Sequence, residues 1–151
     1  MNYLNSQLQL TRQKILSEIE GINPELFDIQ PKGFNNTLHW HIGHILTVTE
    51  QFLLGYPHTN HLPANYGELF GYGSKPADWK GDVPSVEVLV QQLQEQVNRI
   101  LAIPEERYSE KLPQPFLGLE TVGEIFTFAL FHESNHLGQI HAMKRVIDAA
   151  N

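Results

Sequence analysis

Apolar residues recur along this chain at helical spacing, and the pattern predicts four long helices. Leu4, Leu8, Ile15, Ile19 and Ile22 follow one another at intervals of four, seven, four and three, which places them in one stripe on a first helix that should stop near Gly21 to Pro24. A second helix begins near Asn36 or Thr37, either of which can serve as N-cap. It carries Leu38, Ile42, Ile45, Leu46, Phe52 and Leu53 to a stop at Gly55-Tyr56-Pro57. The third follows Pro84-Ser85, sets Val86, Leu89, Val90, Leu93, Val97, Ile100 and Leu101 on one face, and ends before Pro104. Before the fourth, Thr121-Val122-Gly123-Glu124 has the Ser/Thr-x-x-Glu form of a capping box, and an apolar-rich helix then runs to about Asp148.

Residues 57–83 hold many Pro, Gly, Asn and Asp and read as a long connection with a short helical turn around Asn65 to Phe70. Its aromatics Tyr66, Phe70, Tyr72 and Trp79 can line a pocket or fill the end of the core, and the second reading is the more economical. No segment makes a convincing strand. The strand-like run from Ile125 to Phe131 continues into helix-forming sequence without a turn signal. The expected fold is all-α, an antiparallel-type four-helix bundle formed by residues 1–151 as a single domain. Bundles of this kind build metal sites from side chains of facing helices.

Composition narrows the function classes. A chain of 151 residues, 41% hydrophobic and 18% charged, can bury a core without disulfides or a structural metal, so a metal here would serve chemistry rather than folding. A net charge of -7 with only ten scattered Lys and Arg argues against nucleic acid and against an anionic membrane surface. With no cysteine, metal ligands must be N or O donors, and any thiol chemistry needs a thiol brought by a substrate. The start of the sequence has no signal-peptide pattern and no apolar run approaches the roughly 18 residues of a spanning helix. A cytoplasmic location is expected. Histidine is the outlying count: eight, at 39, 41, 44, 58, 61, 132, 136 and 141.

His132 and His136 lie four apart on the fourth helix, so both imidazoles share a face and can reach one ion at about 2.0 to 2.1 Å if it is zinc. Two ligands hold a metal weakly, and a third must come from another helix. The second helix offers His39, His41 and His44. His41 and His44 share a face, whereas His39 points about 140° away from His44. The stretch His132-Glu133-Ser134-Asn135-His136 also fits the His-Glu-x-x-His pattern of zinc peptidases. Its context does not: a metzincin needs Gly and His where Gln139 and Ala142 stand, and too little chain remains for a distant Glu ligand. Glu133 is then expected to support the site from behind or to lie at the surface.

Asn36-Thr37-Leu38-His39-Trp40-His41-Ile42-Gly43-His44-Ile45 resembles the first ligand helix of the DinB-like (DinB/YfiT) superfamily. Phe131-His132-Glu133-Ser134-Asn135-His136-Leu137-Gly138-Gln139-Ile140 resembles its His-x-x-x-His-x-Gly-Gln-Ile signature. The resemblance implies a four-helix DinB bundle, commonly a homodimer. It also implies a divalent nickel, zinc, iron or manganese ion held by His44, His132 and His136, with His39 and His41 as neighbours. Gly138 suggests a close helix approach or simple tolerance of glycine, and Gln139 a hydrogen bond to a ligand imidazole or substrate, or polar filling. Some members of the superfamily are transferases that use bacillithiol or mycothiol. The resemblance therefore points to a metal-dependent thiol S-transferase acting on small electrophiles. A metal-dependent hydrolase or a non-catalytic metal-binding stress protein is the alternative. Metal binding should fail as pH falls through the imidazole range, roughly 5 to 6.5.

Overall fold

The computed structural model describes residues 2–150. Four long helices appear where the apolar periodicity places them: α1 (Tyr3–Glu20), α2 (Leu38–Leu54), α4 (Val86–Leu101) and α5 (Val122–Ala150), with the short α3 (Tyr66–Phe70) inside the long connection. Their ends are set by local chemistry. Thr37 caps α2 by accepting from the Trp40 N–H, and Gly55 ends it in the left-handed region at φ 83°, where a side chain would be strained. Ser85 caps α4 through the Val88 N–H. At the start of α5 the capping box forms in full: Thr121 Oγ1 accepts from the Glu124 N–H, while Glu124 Oε2 accepts from the backbone N–H groups of Thr121 and Glu120. Those bonds hold the Glu124 carboxyl below its usual range.

The four long helices close into a ring in which α1 packs on α5, α5 on α2, α2 on α4 and α4 on α1. Consecutive helices α1 and α2, and likewise α4 and α5, therefore stand diagonally, and α2 and α5, which carry the clustered histidines, are direct neighbours. Helix α2 is buried on every side from Leu38 to Glu50. A bundle helix ordinarily keeps one face in water. Here the 57–83 connection covers that face, with α3 against α2 and the Phe70 ring over Gly43, where an added Cβ would overlap it. Of the loop aromatics, Tyr66, Phe70 and Trp79 pack into the core, and Tyr72 is 99% exposed.

Two apolar clusters make up the interior, a large one that includes Ile15, Leu38, Ile42, Leu46, Leu93 and Ile140, and a smaller one of Leu8, Ile100, Ile103 and Phe126. Between them runs a polar layer contributed by all four long helices. Arg12 of α1 donates through Nε to Glu133 (2.9 Å), and through its terminal nitrogens to the Leu93 carbonyl (2.6 Å) and Gln96 Oε1 (2.9 Å). Gln96 passes on to the Leu46 carbonyl and to Glu50, which Arg99 also binds. Arg12, Gln96, Glu50 and Glu133 are all fully buried. Two cations and two anions make the layer neutral, and every partner it satisfies fixes one helix against another.

The expectation of no strand is corrected. Lys111–Phe116 (β1) and Leu119–Thr121 (β2) form an exposed antiparallel hairpin. Its turn sits at Leu117 and Gly118, φ 50° and 83°, both in the left-handed region that a tight hairpin requires.

Candidate metal centre

The geometry begins with a tautomer. Nδ1 of His44 lies 2.6 Å from the Phe70 carbonyl oxygen. A carbonyl only accepts, so His44 carries its proton on Nδ1 and Nε2 is bare. That bare nitrogen is 3.1 Å from Nε2 of His132. Two nitrogens each about 2.0 to 2.1 Å from one ion, at angles of about 90 to 110°, stand about 2.8 to 3.4 Å apart, so the observed spacing suits a shared ligand site. His136 completes the group, with one ligand atom from each of His44, His132 and His136 lying within 4.8 Å of one another. The ring centroids are 4.9 Å (His44 to His132), 4.5 Å (His44 to His136) and 4.4 Å (His132 to His136) apart.

Electrostatics prepares the same set. Burial, followed by the neighbouring imidazoles, pushes His132 down to about 4 and His136 to about 2, and burial lowers His44 as well. All three are neutral at pH 7, as ligation requires. Clustering neutral imidazoles in an apolar interior leaves lone pairs facing one another, an arrangement that a divalent ion resolves. His132 Nδ1 is buried without a hydrogen-bond partner among the described residues. The residues present therefore fit a divalent transition metal, and a His44, His132, His136 group could hold one.

Around the triad the walls are aromatic. Trp40 stacks on His44 at 4.4 Å and 15°, and is itself pinned by its indole N–H to Ser74 Oγ (2.9 Å). On the opposite side Phe52 meets His132 edge-on at 6.2 Å, and Phe52, Phe128 and the hairpin's Phe116 pack mutually at 5.2 to 5.5 Å. The hairpin missed in the sequence thus contributes to the wall beside the site.

The remaining histidines are placed elsewhere. His41 is fully buried behind the triad with Nδ1 2.9 Å from Nδ1 of His136. His39 spends both ring nitrogens on Asp28 and the Pro84 carbonyl. His58 and His61 are exposed in the loop, and His141 turns away to Glu18. Glu133 is no surface residue: it is fully buried, faces Arg12 and takes a long bond from Thr49 (3.4 Å). Locked in that layer, it is not placed as the general base of a peptidase. Gly138 has nothing within 4 Å of an added Cβ, so the idea of a close helix approach there is corrected in favour of tolerance. Gln139 is half-buried and makes no hydrogen bond to any of the histidines, which corrects the expected bond to a ligand imidazole. The Phe70 carbonyl, a main-chain group in a loop, carried no signal in the sequence. His41 did carry one, because it shares a helix face with His44.

A solved structure described as a conserved protein from Enterococcus faecalis superposes with a TM-score of 0.70 at 15% identity, covering 99% of each chain, and so shares the fold. No curated protein matches the sequence. The model of the DinB superfamily matches residues 7–140, a span that takes in α2 and α4 whole, most of α1 and α5 and the complete histidine triad, and the chain belongs to that superfamily.

Proposed function

We propose that this protein is a metal-dependent transferase that joins a low-molecular-weight thiol, of the bacillithiol type, to a small electrophile. The observation that carries the reading is the donor set: three neutral imidazoles, two buried and that of His132 half-buried, with no carboxylate in the metal-competent group. An ion held by three neutral ligands keeps its full double charge, and the chemistry it would supply is to favour the anion of a thiol over its protonated form. The chain has no cysteine, so the sulfur must come from a cosubstrate. In the reaction the thiol loses its proton to water, its sulfur bonds to carbon, and the leaving group departs with the bonding electrons.

The chain's own residues do the arranging. The Phe70 carbonyl holds the His44 ring, Trp40 covers one face of it, and Phe52 borders His132, so water is kept from part of the centre and apolar surface is offered to a substrate. The same reading includes a homodimer, a cytoplasmic location and no nucleic-acid or membrane partner. Among the described residues no helix is long and apolar enough to cross a membrane.

The test is to incubate metal-loaded protein with bacillithiol and monochlorobimane and to compare the His44→Ala variant. Conjugation that is accelerated by the wild type and lost in the variant supports the transferase. Conjugation no faster than without protein, together with turnover of ester or amide substrates, replaces it with a hydrolase.

A further inference from the structure

His136 enters the triad with one ring nitrogen already engaged, its Nδ1 lying 2.9 Å from Nδ1 of His41. His41 stands outside the group that can share an ion, and with no ion between them two lone pairs at that distance repel and two N–H groups collide, so one nitrogen donates and the other accepts. The two alternatives differ in what they leave for a metal. If His41 donates, neutral His136 carries its own proton on Nε2 and has no bare nitrogen beyond the one already accepting. If His136 donates from Nδ1, its Nε2 is bare and can ligate. Only the second arrangement makes His136 a ligand.

We propose that His41 is a positioning residue of the metal centre: its Nδ1 accepts the Nδ1–H of His136, fixing the tautomer and ring orientation that present Nε2 to the ion. The inference rests on the metal-binding reading above and extends it to a residue outside the triad. It has a parallel within the same site, where the Phe70 carbonyl does the same for His44. A metal-ligating histidine generally gives its other N–H to such a partner, most often a carboxylate or a carbonyl. Here the partner is a second imidazole, fully buried on α2 three residues before His44.

The cost of the arrangement is visible on His41 itself. By accepting at Nδ1 it must carry its proton on Nε2, and Nε2 is buried without a hydrogen-bond partner among the described residues. An unsatisfied buried donor opposes folding, so leucine would serve a purely packing role better. The edge-on contact with Trp40, centroids 5.2 Å apart, sets the ring plane of His41 and ties it to the residue stacked on His44. Two of the three ligands are therefore braced from behind, by a loop carbonyl and by His41. His132 has no such brace among the described residues.

The test uses the full chain and zinc alone. Zinc stoichiometry of the wild type, measured first, checks the metal reading independently: no bound zinc would overturn both claims. Long-range proton–nitrogen NMR on histidine-labelled, zinc-loaded wild type then reads the tautomers directly. The expected result is a protonated Nδ1 and metal-bound Nε2 on His136, with a protonated Nε2 on unligated His41. Chelator competition should show zinc binding weakened about 10- to 100-fold in His41→Leu. His41→Asn, whose side-chain oxygen can take the place of Nδ1 as acceptor, should recover affinity to within a few-fold of wild type. Folding of each variant is checked by circular dichroism, and the wild-type NMR decides the matter if His41→Leu does not fold. A zinc-bound wild type in which His136 ligates through Nδ1, in which His41 is itself a ligand, or in which folded His41→Leu binds zinc as tightly as wild type, would overturn the proposal.

Discussion

Gly43→Ala should damage the metal centre although residue 43 touches no ligand atom. Gly43 lies on α2 beneath the Phe70 ring, and a Cβ there would overlap three atoms of that ring. Phe70 is fully buried and wedged edge-on against Tyr66 and Trp79, centroids 5.4 and 5.6 Å away, so it has little room to turn aside. Overpacking of this kind costs about 1 to 3 kcal/mol, against which the better helix propensity of alanine returns at most about 1 kcal/mol. The net expectation is a loss of about 1 to 2 kcal/mol in urea unfolding of the metal-free protein. The functional consequence is larger in proportion. Relieving the overlap moves Phe70 outward, and its carbonyl is the group that holds Nδ1 of His44 at 2.6 Å. Losing such a partner weakens metal affinity by about 10- to 100-fold. Zinc competition against a chelator measures this, and Gly43→Ala/Phe70→Ala, which removes all three overlapping ring atoms but keeps the carbonyl, should recover most of the affinity. A Gly43→Ala protein with wild-type stability and wild-type zinc affinity would refute the argument.

Four further outcomes are expected. Arg12→Met leaves Glu133 as an uncompensated buried carboxylate and should cost about 3 to 5 kcal/mol in urea unfolding, while Arg12→Met/Glu133→Leu should regain much of it; equal losses in both would show that the pair is not coupled. The metal-free protein should lose stability as pH falls from about 6.5 toward 4, because His41 and His132 have folded values lowered to about 4 and the unfolded chain takes up protons first; above pH 7 this contribution is fully present. For fully buried His41 alone it amounts to about 3 kcal/mol, read from urea midpoints across that range. Burial also moves the loss of zinc affinity below the roughly 5 to 6.5 window of ordinary imidazoles, toward pH 4, so a titration in which affinity falls steeply between pH 7 and 6 would count against these shifts. Light scattering at micromolar concentration should report a homodimer, and a monomer would remove that part of the proposed function.

The helices were legible from their apolar stripes, and three of the four long ones are written a second time in their caps. Thr37, Ser85 and the pair Thr121 and Glu124 all cap as their positions suggest. The hairpin was not legible, since Pro113 and Pro115 lack the N–H that a strand uses and Leu117 occupies a left-handed position usually marked by Gly or Asn. Spacing brought His132 and His136 together but could not choose among His39, His41 and His44. The choice depends on which way α2 is rotated against α5, and family likeness supplied it. Glu133 was misplaced because its partner Arg12 stands 121 positions earlier, a distance at which local pattern says nothing.

His44, His132 and His136 are expected to hold one metal ion, and the other histidines are not. Metal content by mass spectrometry, on protein loaded with zinc and passed through a desalting column, tests it most directly. One ion per chain is expected in wild type and in His141→Ala, and loss of stoichiometric binding in each of His44→Ala, His132→Ala and His136→Ala. Full occupancy in His132→Ala would contradict it.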